Sequence, residues 1–176
     1  MKLFPLIGSL LVAASVHSQA MELSSPDIKE GHFMAKTFEY QGFGCSGDNL
    51  SPALSWSDIP EGTKSFAITV FDPDAPTGSG WWHWAVVDIP LKVTAIARGQ
   101  KMDALGAKTL GNDYGEPRFG GACPPPGHGM HRYQFTVWAL PVETLQLPAD
   151  PSLALLGYQL GAQALGKATI TATYSR

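Results

Sequence analysis

Four acidic or imidazole side chains stand at the ends of apolar runs. Asp72 and Asp74 leave the run SFAITVF (65–71) through the turn DPDAP. His83 lies inside WWHW, at the head of WAVVDI (84–89), and His131 heads RYQFTVWAL (132–140) after the glycine-rich PPPGHGM. If these runs are neighbouring strands, Asp72, His83 and His131 meet at one rim of a sheet. A carboxylate within reach of an imidazole favours its protonated form. Two imidazolium groups beside exposed backbone N–H groups would suit a phosphate or another oxyanion. Glycines 120, 121, 127 and 129 would let the backbone approach such a ligand closely.

Each feature also has a plainer reading. DPDAP alone reads as an Asx-turn stiffened by prolines. His83 alone reads as a packed histidine bonded to a backbone carbonyl, and GGACPPPGHG as a structured loop. His128 and Arg132 read as solvated. An enzymatic reading needs more: two histidines and a carboxylate form a facial metal triad in some sites, and His83 could act as a general base. No GxSxG stretch supplies a nucleophile, and no CxxC pair supplies a metal site. The expectation is a protein without catalytic residues, metal or cofactor.

The elements that must position these groups read mainly as strands. Residues 65–71, 84–89, 132–140 and 168–174 are rich in β-branched and aromatic residues, with Gly, Pro, Asn and Asp between them. Alternation is expected to send Trp82 to the face opposite Trp81 and Trp84. One helix is expected over 151–165, with Asp150 as N-cap, Pro151 at the first helical position, and Leu153, Leu156, Leu160 and Ala164 on one face. A weaker helix is expected around 92–98. These elements predict a single β-sandwich domain over residues 21–176 with one or two peripheral helices.

The compartment is read from the first twenty residues, MKLFPLIGSLLVAASVHSQA. A basic start, an apolar run from Leu3 to Val16 and small residues before Ala20 describe a secretory signal peptide cleaved near Ala20. The run is too short to span a bilayer, and no later segment reaches ~18 uninterrupted apolar residues, so no transmembrane anchor is expected. Without that segment the chain keeps eleven basic and fifteen acidic residues, a formal charge of −4. With no basic cluster, this argues against nucleic acid as a partner and against attraction to an anionic membrane. Cys45 and Cys123, the only two cysteines, are expected to pair in an exported protein.

Two long stretches carry a resemblance. DPDAP followed by WxHW, and GGACPPPGHGMHRY running into a strand, resemble the phosphatidylethanolamine-binding protein family, in particular an exported member of its bacterial, kinase-inhibitor-like branch. The upstream SPALSWSDIPEGTKSF agrees, and the resemblance spans about Glu22 to Tyr174. It implies a Greek-key-like antiparallel β-sandwich with a small pocket for phosphate-like groups at one end. It further implies that Asp72, His83 and His131 are pocket residues, and that Trp81, Gly121, Pro124 and Tyr133 line or support the pocket. Cys123 departs from the pattern of many relatives and is expected to staple the pocket loop to Cys45. The chain ends at a strand, so the pocket mouth is expected to differ from that of eukaryotic members. A small anionic or phosphorylated ligand and a homodimer are the expected partners. The alternative is an inhibitor of a protease, a kinase or a host process, acting through a surface away from the pocket.

Overall fold

A computed structural model describes residues 20–176. The expected signal peptide, apart from Ala20, lies outside the described residues. In chain order the strands are β1 (Glu22–Ser24), β2 (Gln41–Gly42), β3 (Cys45–Ser46), β4 (Leu54–Ser57), β5 (Ser65–Asp72), β6 (Trp81–Pro90), β7 (Ala95–Ile96), β8 (Lys108–Thr109) and β9 (His131–Leu140). Helix α1 (Leu153–Gln163) and strand β10 (Gly166–Tyr174) close the chain. Five strands form one antiparallel sheet in the order β10-β9-β5-β6-β8, and β1-β4-β7 form a smaller one. The β2–β3 hairpin stands apart.

Period-two alternation builds the layers. On β5, Phe66, Ile68 and Val70 face the smaller sheet and meet Leu54, Trp56 and Ile96 in the main core. On β9, Tyr133, Phe135 and Val137 join them. The opposite face of the large sheet presents Ala67, Ala85, Val87 and Leu140 to Leu153, Leu156 and Leu160 of α1. Leu156 and Leu160 are fully buried, each contributing on the order of 2 kcal/mol by area. The chain is thus a sandwich with one helix on its outer face, as expected.

Several expectations need correction. Ser152, not Asp150, caps α1: its hydroxyl accepts the Leu155 N–H at 3.2 Å, so Pro151 precedes the helix. Serine and aspartate rank nearly equal as caps, so the sequence leaves the choice open. No helix forms around 92–98. There Val93 closes a turn on the Pro90 carbonyl, and Ala95–Ile96 pairs with Leu54–Ser55. Burial of Ile96 and the β-branched Val93 and Thr94 outweigh the local helical pattern.

Trp82 does take the opposite face, but not by simple alternation, which would place Trp82 and Trp84 together. Val70 pairs with Trp84 and Phe71 with Trp82, leaving His83 as the extra residue of a β-bulge. The bulge resets the phase. Trp84 enters the main core while Trp82 packs on the helix side against Phe71, with ring centroids 4.7 Å apart.

Candidate functional site

The order β9-β5-β6 brings the C-terminal end of β5 beside the N-terminal ends of β6 and β9. Asp72, His83 and His131 therefore meet at one end of the main core. There they line a cavity of about 200 Å³, with Trp81, Pro124 and Tyr133 also in its wall. Gly121 is not in the wall; it supports His83 from behind. Tyr114 and Phe43, not among the residues expected at the site, also line it, as do residues 75–77 of the DPDAPT turn.

Asp72 is buried, 2% exposed, and both its oxygens are engaged. Oδ1 accepts the Asp74 backbone N–H at 2.8 Å, which is the Asx-turn expected of DPDAP. Oδ2 accepts from His131 Nδ1 at 2.7 Å, since a carboxylate can only accept. The other ring nitrogen of His131, Nε2, lies 2.7 Å from Nδ1 of the exposed His128. Asp72, His131 and His128 thus form a continuous chain from a buried carboxylate to the surface. His128 is not merely solvated, nor is Arg132, whose guanidinium grips both oxygens of Asp74 at 2.9 and 2.8 Å. That ion pair holds the Asp74 carboxyl below the usual carboxylate range.

His83 sits differently. It is 3% exposed, and its Nδ1 donates to the carbonyls of Gly120 at 2.9 Å and Gly121 at 3.1 Å. Tyr114 and Tyr133 present their rings edge to face against it, at centroid distances of 5.6 and 5.1 Å. Burial pushes its pKa down to about 4, against the smaller upward pull of Asp72 and the two carbonyls. In the neutral range His83 is therefore neutral, not the imidazolium expected from sequence. Carbonyls only accept, so Nδ1 holds the ring proton and Nε2 carries a lone pair.

The glycines act differently from the expectation as well. A Cβ on Gly121 would come within 2.4 Å of the Phe38 carbonyl oxygen, so the close approach is to the protein's own backbone. Gly121 is further pinned by its N–H to Asn49 Oδ1 at 2.7 Å, and its carbonyl also accepts from Tyr114 Oη at 3.1 Å. Gly127 and Gly129 have positive φ and turn the loop, with open space beside them. Tyr114 reaches the site because buried Asn112 braces its loop: Asn112 Oδ1 accepts the N–H groups of Tyr114 and Glu116. The position of Tyr114 over His83 follows from this bracing between distant segments and not from spacing along the chain.

Four buried side-chain polar atoms have no partner among the described residues: Nε1 of Trp56, Nε1 of Trp81, Nε2 of His83 and Oη of Tyr133. The last three belong to residues of the cavity wall. An unpaired buried polar atom costs roughly 1–3 kcal/mol, so each of these three has unused capacity for a hydrogen-bonding partner. Among the described residues, no group of three His, Cys, Asp or Glu side chains is arranged to hold a metal ion.

A Cys45–Cys123 disulfide borders the cavity. It ties the β2–β3 hairpin, which carries Phe43, to the loop carrying Pro124. Phe43 is 74% exposed and lies at the rim with φ +51°, an unusual backbone for a bulky residue. Among the described residues no helix is long and apolar enough to cross a membrane.

The profile of the family described as phosphatidylethanolamine-binding protein matches residues 24–175. The UPF0098 protein YbcL of Escherichia coli K12 is 48% identical over 169 residues, covering 93% of this chain and 92% of its own. YbhB of the same organism is 41% identical, covering 88% of this chain and all of its own. The crystal structure of YbcL, described as a new member of the mammalian family, superposes with a TM-score of 0.84 over 90% of this chain and 99% of that one. A carboxypeptidase Y inhibitor, solved with its cognate proteinase, is 15% identical with a TM-score of 0.56, over 90% of this chain and 83% of that one; it shares the fold alone.

Proposed function

The chain belongs to the phosphatidylethanolamine-binding protein family, and on that premise we propose that it is an exported, non-catalytic binding protein. Its ligand is a small phosphorylated or other anionic molecule held in the cup between Asp72, His83 and His131. One observation carries this reading: Trp81 Nε1, His83 Nε2 and Tyr133 Oη are buried and unpaired around a single cavity of about 200 Å³. A phosphate group fits within that volume, with oxygens of the kind that accept from an indole N–H or a phenol O–H. Its destination is the periplasm or the medium, after cleavage near Ala20. An inhibitor working through a remote surface predicts instead that substituting Asp72 or His131 leaves its target's response unchanged.

The test is an NMR titration of the oxidised protein, following the histidine ring signals, with phosphate, phosphoethanolamine and a short-chain phosphatidylethanolamine. The rings of His83 and His131 should shift together, and Asp72→Ala should abolish the response. Rings that ignore all three compounds would reject the cup as an oxyanion site and turn the search to protein partners.

A further inference from the structure

We infer that the end of the sandwich around the cavity mouth is a docking surface for a lipid bilayer, with Phe43 as its inserting side chain. This goes beyond the cup's ligand, because it concerns the rim and not the groups inside. Three loops contribute to that rim: the hairpin 41–46 (QGFGCS), the turn 75–80 (APTGSG) and the loop 124–131 (PPPGHGMH). None of them contains Asp, Glu, Lys or Arg, in a chain with twelve basic and fifteen acidic residues. Two other cavities of the molecule are each lined by four charged side chains. In the wall of the cup only Asp72 carries a carboxylate, and it is buried and paired.

The larger exposed side chains of these loops are apolar. Phe43 is 74% exposed and Met130 57%, and Pro76, Pro125 and Pro126 are exposed as well. The fold holds Phe43 out against two costs: its ring faces water, and its backbone has φ +51°, which bulky residues rarely adopt. Gly42 and Gly44, both at positive φ, turn the chain on either side of it. The tip is also tied down. The Cys45–Cys123 disulfide joins the hairpin to the start of loop 124–131. Arg176 bridges the same two segments, donating to the Gly44 carbonyl at 2.6 Å and the Pro124 carbonyl at 3.1 Å. Its own carbonyl accepts the Gly127 N–H at 2.9 Å. Backbone strain that the surroundings enforce points to a use for the strained residue, and an aromatic fixed in advance loses little freedom on insertion.

A few apolar tips around an opening are too little for a stable contact with a second copy, which takes about 20–30 residues a side. A bilayer interface demands no complementary shape. It accepts separate apolar side chains and favours a surface free of carboxylates. Arg132, which follows loop 124–131, and Arg176 are exposed cations suited to lipid phosphates. The negative net charge supplies no long-range attraction, so insertion of the rim must carry the binding.

Vesicles of phosphatidylcholine and phosphatidylglycerol, without phosphatidylethanolamine, separate this surface from any headgroup held in the cup. The oxidised protein should co-sediment with them. Phe43→Asn, which keeps a residue tolerant of positive φ, should weaken the partition by at least ~10-fold. Tyr158→Ala, which removes a ring 72% exposed on α1, should leave it unchanged. Phe43→Trp should add an indole emission that shifts to the blue on vesicles and is quenched by lipids with brominated chains. Saturating phosphoethanolamine should displace no protein from the vesicles. Absence of co-sedimentation, or equal losses in Phe43→Asn and Tyr158→Ala, would overturn the inference and leave the oxyanion cup untouched. Displacement by phosphoethanolamine would assign vesicle binding to the cup and also overturn it. So would a dimer in sedimentation velocity that Phe43→Asn dissociates, which would give the rim to a second copy.

Discussion

His83 shows how burial converts a residue type into a role. In sequence it was one of two histidines beside an aspartate, and proximity to a carboxylate argued for a charged ring. In the fold the other histidine takes the carboxylate, and His83 is left with two carbonyls and the edges of two tyrosines. Desolvation then dominates, and the pKa falls from about 6.5 to about 4. Between those values the unfolded chain binds a proton that the folded chain refuses. The contribution of His83 to stability is therefore complete above pH ~6.5 and is lost as pH falls towards 4, a total of about 3 kcal/mol. Urea unfolding at pH 7 and pH 4.5 should show this loss, and His83→Gln should show a correspondingly flatter profile. A wild-type profile no steeper than that of the variant would contradict a neutral, buried His83. The partners of His131 were partly legible, since Asp72 was named with it. His128 was not, because a residue three places away in a glycine-rich loop gives no sign of folding back.

At the scale of elements, the long strands announced themselves and the short ones did not. β5, β6, β9 and β10 carry enough β-branched and aromatic residues to be read singly, whereas β7 is two residues held by pairing with β4. The bulge at His83 could not be read either, because it exists only as a mismatch of count between β5 and β6. Its consequence is local and functional: it sends Trp82 to the helix side and leaves Trp81 and His83 in the cup. The start of α1 offers a direct check of which cap operates. Ser152→Ala should cost about 1 kcal/mol of unfolding free energy, by removing the acceptor for the Leu155 N–H. Asp150→Ala should be close to neutral. The reverse order in chemical denaturation would restore the cap expected from sequence.

At the scale of the whole molecule, the cup is closed by covalent and polar ties between distant parts of the chain. The disulfide joins Cys45 and Cys123 across a separation of 78 residues. Arg176 reinforces it, donating from Nε to the Pro124 carbonyl at 3.1 Å and from Nη1 to the Gly44 carbonyl at 2.6 Å. Beneath the hairpin, buried Glu39 accepts from Tyr174 Oη at 2.5 Å and from the Ser46 N–H at 2.6 Å. In the chain-entropy picture, closing a loop of that length stabilises the fold by roughly 4–5 kcal/mol. Reduction, or the pair Cys45→Ser and Cys123→Ser, should lower the melting temperature by many degrees. Thiol titration of the unreduced native protein should find no free cysteine. Two titratable thiols, or a melting temperature indifferent to reductant, would refute this account.

What the sequence determined by itself was the alphabet of the fold and of the site. Strand periodicity, the proline-bounded turns and the leucine face of α1 are local properties, and they fixed a β-sandwich with a helix on one face. The DPDAP and WWHW stretches, with GGACPPPGHGMHRY, likewise pointed to the family and to Asp72, His83 and His131, which the fold brings to one cavity. Only the tertiary structure decided how those residues divide their work. Which imidazole takes Asp72, which loses its charge to burial, and that Tyr114 and Phe43 close the wall all depend on contacts between segments far apart in the chain. Desolvation and hydrogen-bond partnership are properties of those contacts, and no spacing along the sequence encodes them directly.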